Sequence, residues 1–225
     1  MIEIKEVSLR YRDGTLALNN INLTVGDNEL VYITGPSGSG KTSLLKLIMG
    51  MEYPTSGTVK VMGQEISEGK SEELRRLRRR IGPVFQELKL VPGRSAMENV
   101  MMGIRFLDFS GQEIKSYAAD ALEKVGLSHK ADSMVENLSW GEAQRVSIAR
   151  AIARKPRLIL ADEPTGNLDH DNAVNILNIL ASFKQKDTSV IVATHATHLI
   201  ENQRNVTIIR MNQGNISVEK RGGDE

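Results

Sequence analysis

The segment Gly35-Pro36-Ser37-Gly38-Ser39-Gly40-Lys41-Thr42 matches G-x-x-x-x-G-K-[ST] in full. Its glycines let backbone N–H groups turn inward around phosphate oxygens. The helix that follows aims its positive end at the same charge. Lys41 is placed to reach the β- and γ-phosphates, and the Thr42 hydroxyl to ligate Mg²⁺. Asp162 and Glu163 close the apolar run Leu158-Ile159-Leu160-Ala161. Acids at the C-terminal end of a buried strand sit where ligands collect in doubly wound sheets. Asp162 fits the metal-organising carboxylate, and Glu163 the group that orients or deprotonates an attacking water. His195 closes a second apolar run, Val190 to Thr194. Its expected role is to hold the γ-phosphate and the water in register, without being the base.

These groups need a rigid frame. Leu30-Val31-Tyr32-Ile33 meets the glycine-rich loop directly and reads as a buried parallel strand, as do Leu158 to Ala161 and Val190 to Ala193. The stretch Thr42 to Met49 is helical in character, with Gly50 as its stop. A strand-rich N-terminal region starts with the alternation Ile2, Ile4, Val7, Leu9. Ser110-Gly111-Gln112-Glu113 has capping-box spacing before an amphipathic run that ends at Gly126. Residues 87–137 therefore read as a helical insert in an α/β core. A helix over about 171–183 lies between the last two apolar runs. Asn212-Gln213-Gly214-Asn215 reads as a hairpin turn, and residues 221–225 as a frayed end.

At 225 residues the chain is one domain, or one core with an embedded subdomain. Its formal net charge of +1 argues against a dedicated nucleic-acid binder. With no cysteines, disulfides and thiol catalysis are excluded, as a reducing cytosol allows. No secretion signal opens the sequence, and no apolar run approaches the ~20 residues needed to span a bilayer. If the protein works at a membrane, another chain must supply the spanning part. The cluster Arg75, Arg76, Arg78, Arg79 and Arg80 reads first as a solvated helix face, then as a contact for lipid headgroups or an acidic partner.

Between the phosphate loop and the acidic pair lies Leu138-Ser139-Trp140-Gly141-Glu142. The order phosphate loop, Leu-Ser-x-Gly-Glu, Asp-Glu, His resembles the ATP-binding cassette (ABC) ATPases over nearly the whole chain. The resemblance implies an α/β fold: a P-loop NTPase core, an N-terminal antiparallel β subdomain and an inserted α-helical subdomain, about 87–155, that carries the signature. It implies ATP and Mg²⁺ as cofactors. Cofactor contacts fall on Tyr11, which stacks on adenine, on Gly35 to Ser43, and on Gln86, Ser139, Gly141 and Glu142. The metal contacts fall on Thr42, Gln86 and Asp162. Gln86 matches the family's glutamine loop, a sensor that reports the γ-phosphate to a partner.

Ser139-x-x-Glu142 is itself a capping box, so Ser139 opens a helix toward Arg154. One chain cannot bring that helix end and its own phosphate loop to one γ-phosphate. The family solves this with a head-to-tail homodimer. Ser139 and Gly141 then contact the ATP of the other subunit, and Gly166-Asn167-Leu168-Asp169 crosses the seam. Two departures stand out. Trp140 replaces the usual Gly, and Ala196 replaces the Asp that usually follows His195. Either the Trp140 ring turns away over a neighbouring loop, the arrangement favoured by the otherwise intact motifs, or it enters the sandwich and slows hydrolysis.

Pro164 to Asp169, residues 74–100 and the length resemble the branch that drives cell division, lipoprotein release and macrolide export, and within it the cell-division type. That implies an integral membrane subunit, a peripheral place on the cytoplasmic side of the membrane, and no nucleic-acid partner. Other readings are the ATPase of a lipoprotein-release or other transporter, a soluble ABC ATPase acting on DNA or ribosomes, and a non-hydrolysing ATP-gated module.

Overall fold

A computed structural model describes residues 1–222. Strands β1 (Ile2–Arg10) and β2 (Leu16–Val25) open the chain, and β3 (Leu30–Thr34) runs through the glycine-rich loop into α1 (Lys41–Ile48). Next come β4 (Ser56–Val61), β5 (Gln64–Glu65), α2 (Ser71–Arg79) and β6 (Ile81–Val84). Helices α3 (Ala96–Met102), α4 (Gly111–Lys124) and α5 (Trp140–Ile152) follow without an intervening strand. The chain returns through β7 (Leu158–Asp162), α6 (His170–Ser182) and β8 (Ser189–Thr194) to the hairpin β9 (Val206–Asn212) and β10 (Asn215–Arg221).

Two sheets result. The first is antiparallel in the order β2-β1-β4-β5. Its alternation is half-buried: Ile2, Ile4, Val7 and Leu9 face inward while Glu3, Lys5 and Glu6 face solvent. The second has the order β10-β9-β3-β8-β7-β6 and is parallel except at β10. The continuous apolar runs become its interior strands, covered on both faces: β3 and β8 are buried along their whole length. Pro83 lies in β6, the edge strand, where a missing N–H costs no ladder bond.

One apolar cluster joins the first sheet, α1 and one face of the second. The other joins the opposite face to α3, α4, α5 and α6. The capping boxes at Ser110 and Ser139 form as the spacing predicts, and Ser95 with Glu98 makes a third at the start of α3. Helix α6 starts at His170, one residue before the expected point, because the Asp169 side chain accepts from the Asn172 N–H and caps it.

Two expectations change. Arg78 is not merely a solvated charge: its guanidinium donates to the carbonyls of Met49 and Gly50, tying α2 to the C-terminal end of α1. Arg221 is not frayed. It ends β10 and donates to the Glu201 carbonyl at 2.8 Å. Residues 223–225 of that expected frayed end lie outside the described residues. No described helix is long and apolar enough to cross a membrane.

Candidate functional site

Strand β3 ends at Thr34, and the chain must reverse around a ligand before α1 begins. Gly40 makes the last step possible. Its φ is 108°, and a Cβ there would sit 2.5 Å from the Ala17 carbonyl of β2. A side chain is excluded on both counts. The loop is also braced from behind: the Gly214 N–H of the β9–β10 turn donates to the Ser39 carbonyl at 3.1 Å, and the Gly214 carbonyl accepts from Asn19. Ser39 is consequently buried.

The loop forms one wall of a cavity of about 720 Å³. Tyr11, Pro36, Ser37, Gly38, Gly40, Lys41, Thr42, Ser43, Gln86, Glu163 and His195 all line it. Eleven residues chosen from sequence thus meet around one space. Gly35 and Ser39 lie behind the wall, where the Gly35 carbonyl accepts from Lys41 at 2.8 Å. Tyr11 is fixed by a 3.0 Å hydrogen bond between its hydroxyl and that of Ser43 on α1.

At the floor, Lys41 is 6% exposed and its ammonium lies 3.3 Å from Glu163 Oε1. Glu163 Oε2 is 2.9 Å from His195 Nδ1 and also accepts from the His195 backbone N–H at 3.2 Å. The Glu163 side chain is only 10% exposed, whereas that of His195 is 63% exposed. Glu163 has φ 46°, a left-handed turn at the end of β7 that a non-glycine residue adopts at a cost. Its N–H still extends the sheet by donating to the Ala193 carbonyl at 2.9 Å. The strained turn therefore sets the carboxylate between two cationic or donor groups.

Asp162 sits one residue deeper. Burial, reinforced by the charge of Glu163, raises its carboxyl above the usual range, against a hydrogen bond from Thr42. Its Oδ1 is buried and has no hydrogen-bond partner. A buried carboxylate oxygen left open beside a threonine hydroxyl and a lysine suits a hard divalent cation.

Ser139, Gly141 and Glu142 do not line this cavity. Ser139 Oγ accepts from the Glu142 N–H at 3.3 Å, and Glu142 returns a bond to the Ser139 N–H at 2.8 Å. That bond, more than the Lys130 charge, holds the Glu142 carboxyl below its ordinary range. The Ser139 side chain adds a smaller lowering contribution of its own, and the start of α5 keeps its positive end.

Trp140 is the exception in that segment. It is 45% exposed and lines the cavity together with Gly166 and Asn167. The residue thus borders the cavity beside the loop that carries Gly166 and Asn167. Sequence reading also missed Gln144, which is 2% exposed, lines the cavity and leaves its amide nitrogen unpartnered. Its place one turn beyond Trp140 on the same helix was the available signal. Thr15, Leu16 and Ala17 line the cavity too, and no local pattern marked them.

A phosphate loop, a metal-ready carboxylate and a second carboxylate held between lysine and histidine define a nucleoside triphosphatase site. Residues 18–166 match the model of the ABC transporter family, and the chain belongs to that family. It is 39% identical to the cell division ATP-binding protein FtsE of Bacillus subtilis over 204 residues, 91% of this chain and 90% of that one. It is equally identical, 39%, to FtsE of Escherichia coli K12 over 216 residues, 96% of this chain and 97% of that one. Among solved structures, the ATP-binding cassette MJ0796, a dimer in a post-hydrolysis state bound to ADP and Pi, is 35% identical with a TM-score of 0.88 and full coverage of both chains.

Proposed function

We propose that this chain is the ATP-hydrolysing subunit of an FtsE-like complex, peripheral on the cytoplasmic side of the membrane. It forms a single ABC ATPase domain over 1–225, with 87–155 as its helical subdomain. The convergence of Lys41, Glu163 and His195 at the floor of the phosphate-loop cavity carries this reading. The 39% identity to FtsE over most of both chains supports the subtype. The dimeric state of the similar cassette supports a homodimer.

The division of labour follows from the geometry. Backbone N–H groups of 35–42 wrap the β- and γ-phosphates, and Lys41 exchanges its contact with Glu163 for one with phosphate. Thr42, Asp162 and Gln86 are the residues that would hold Mg²⁺. When bound, that ion would supply neutralisation of the phosphate charge. Glu163, freed from Lys41, positions and deprotonates water, while His195 keeps the carboxylate oriented through Oε2. Ser139 and Gly141, at the capped start of α5, serve the ATP held by the second subunit. The exposed end at Gln86 passes the γ-phosphate state to an integral membrane partner, FtsX-like in type.

ATP turnover by the purified chain tests the chemistry. Glu163→Gln is expected to abolish turnover and retain ATP binding; unchanged turnover in that variant sinks the assignment. Isolation from native membranes in mild detergent tests the subtype. A bound four-span protein with an extracytoplasmic domain is the expected result. A many-span solute permease would overturn it and leave the chemistry standing.

A further inference from the structure

The proposed role of α5 places its first turn at nucleotide, yet its last turn carries an unusual pair of bonds. Arg150 Nη1 donates to the Lys89 carbonyl and Nη2 to the Leu88 carbonyl, both at 2.6 Å. Four residues on, Arg154 donates to the carbonyls of Ile81 at 2.7 Å, Gly103 at 3.1 Å and Arg78 at 3.3 Å. All five bonds go to backbone carbonyls and none to a carboxylate. Both guanidiniums are half-buried with no carboxylate among these partners, an arrangement that simple packing does not require. Burial, and then the charge of Arg154, hold the Arg150 guanidinium below its ordinary range.

Position gives the bonds a meaning. Leu88 is two residues beyond Gln86, which lines the nucleotide cavity. Arg150 lies on the same rigid helix as Ser139, about 16 Å along its axis. Room for the side chain is reserved across the interface: a Cβ on Gly103 would sit 2.5 Å from Arg150 Cγ. Two parallel bonds from one planar group fix both distance and orientation, which a lysine cannot do.

We propose that Arg150 is a positioning residue that clamps the Gln86 loop to the signature helix. The state read at Gln86 then moves the start of α5, and with it Ser139 and Gly141, as one body. This rests on the ATPase reading above.

Amide hydrogen exchange on the full-length protein, with and without a non-hydrolysable ATP analogue, tests the clamp alongside steady-state turnover. In the parent, the analogue should protect 35–42 and 138–144 together. In Arg150→Met, protection at 35–42 should persist, protection at 138–144 should disappear, and kcat should fall about tenfold with the analogue's Kd within about twofold. Arg150→Lys should fall between the two. Gly103→Ala, which crowds the same side chain from α3, should reproduce the loss at 138–144 if Arg150→Met proves too unstable to measure. Protection at 138–144 equal to the parent's in these variants overturns the clamp. So does a parallel loss at 35–42, which marks a structural role alone. A parent with no protection at 35–42 fails the ATPase reading itself, and the clamp with it.

Discussion

Glu163 Oε2 lies 2.9 Å from His195 Nδ1, so the half-exposed histidine holds the buried carboxylate from the solvent side. Lys41 holds its other oxygen. Removing the imidazole deletes one of two contacts to Oε2 and leaves the residue-195 backbone N–H and Lys41 as the carboxylate's partners, a looser hold. His195→Ala should therefore lower kcat by about 10²-fold and leave KM for ATP within about threefold. Steady-state kinetics check this. A loss confined to KM would make His195 a binding group and not an orienting one.

Ser139 caps α5, and the proposed function also assigns its side chain to the second subunit's ATP. Ser139→Ala should cost about 1 kcal/mol of stability, read by urea unfolding. It should also reduce turnover far more than that while ATP binding by the isolated subunit stays near normal. Equal losses in binding and turnover would place Ser139 outside the second subunit's site.

Trp140 is the single tryptophan and lines the cavity. Its emission should change when ATP binds, and Lys41→Ala should remove that response by removing the binding. An emission spectrum indifferent to saturating ATP would mean that the ring lies clear of the nucleotide.

Tyr32 is fully buried in β3, and its hydroxyl has no hydrogen-bond partner. Tyr32→Phe deletes an unsatisfied polar group while keeping the ring, so it should stabilise the fold by about 1 kcal/mol. Burial alone pushes the phenol from 10.0 up to about 12. The folded state then keeps a proton that the unfolded chain has lost. The parent should lose stability as pH rises from about 10 to about 12, and Tyr32→Phe should lose less over the same range. Urea melts across that range decide it.

The parallel strands β3, β7 and β8 were legible because burial on both faces leaves continuous apolar runs. The phosphate loop and the boxes at Ser110 and Ser139 were legible because their chemistry is local. Helix α3 falls inside the expected helical insert, but its own bounds were not legible: it is seven residues long and follows Pro92-Gly93, although Ser95 and Glu98 carry the same capping signature as Ser139 and Glu142. What no local pattern encodes is contact at a distance. Ala17 behind Gly40, Arg78 on the end of α1 and Trp140 on the cavity wall each depend on elements far apart in the chain.

The brace behind the phosphate loop has a consequence for biosynthesis. Gly214 donates to Ser39, which precedes it by most of the chain's length. A nascent polypeptide that has delivered residues 1–200 from the ribosome already holds the loop, the acidic pair and the histidine, but not the turn that backs them. Full backing of the loop is thereby postponed until β9 and β10 have joined the sheet.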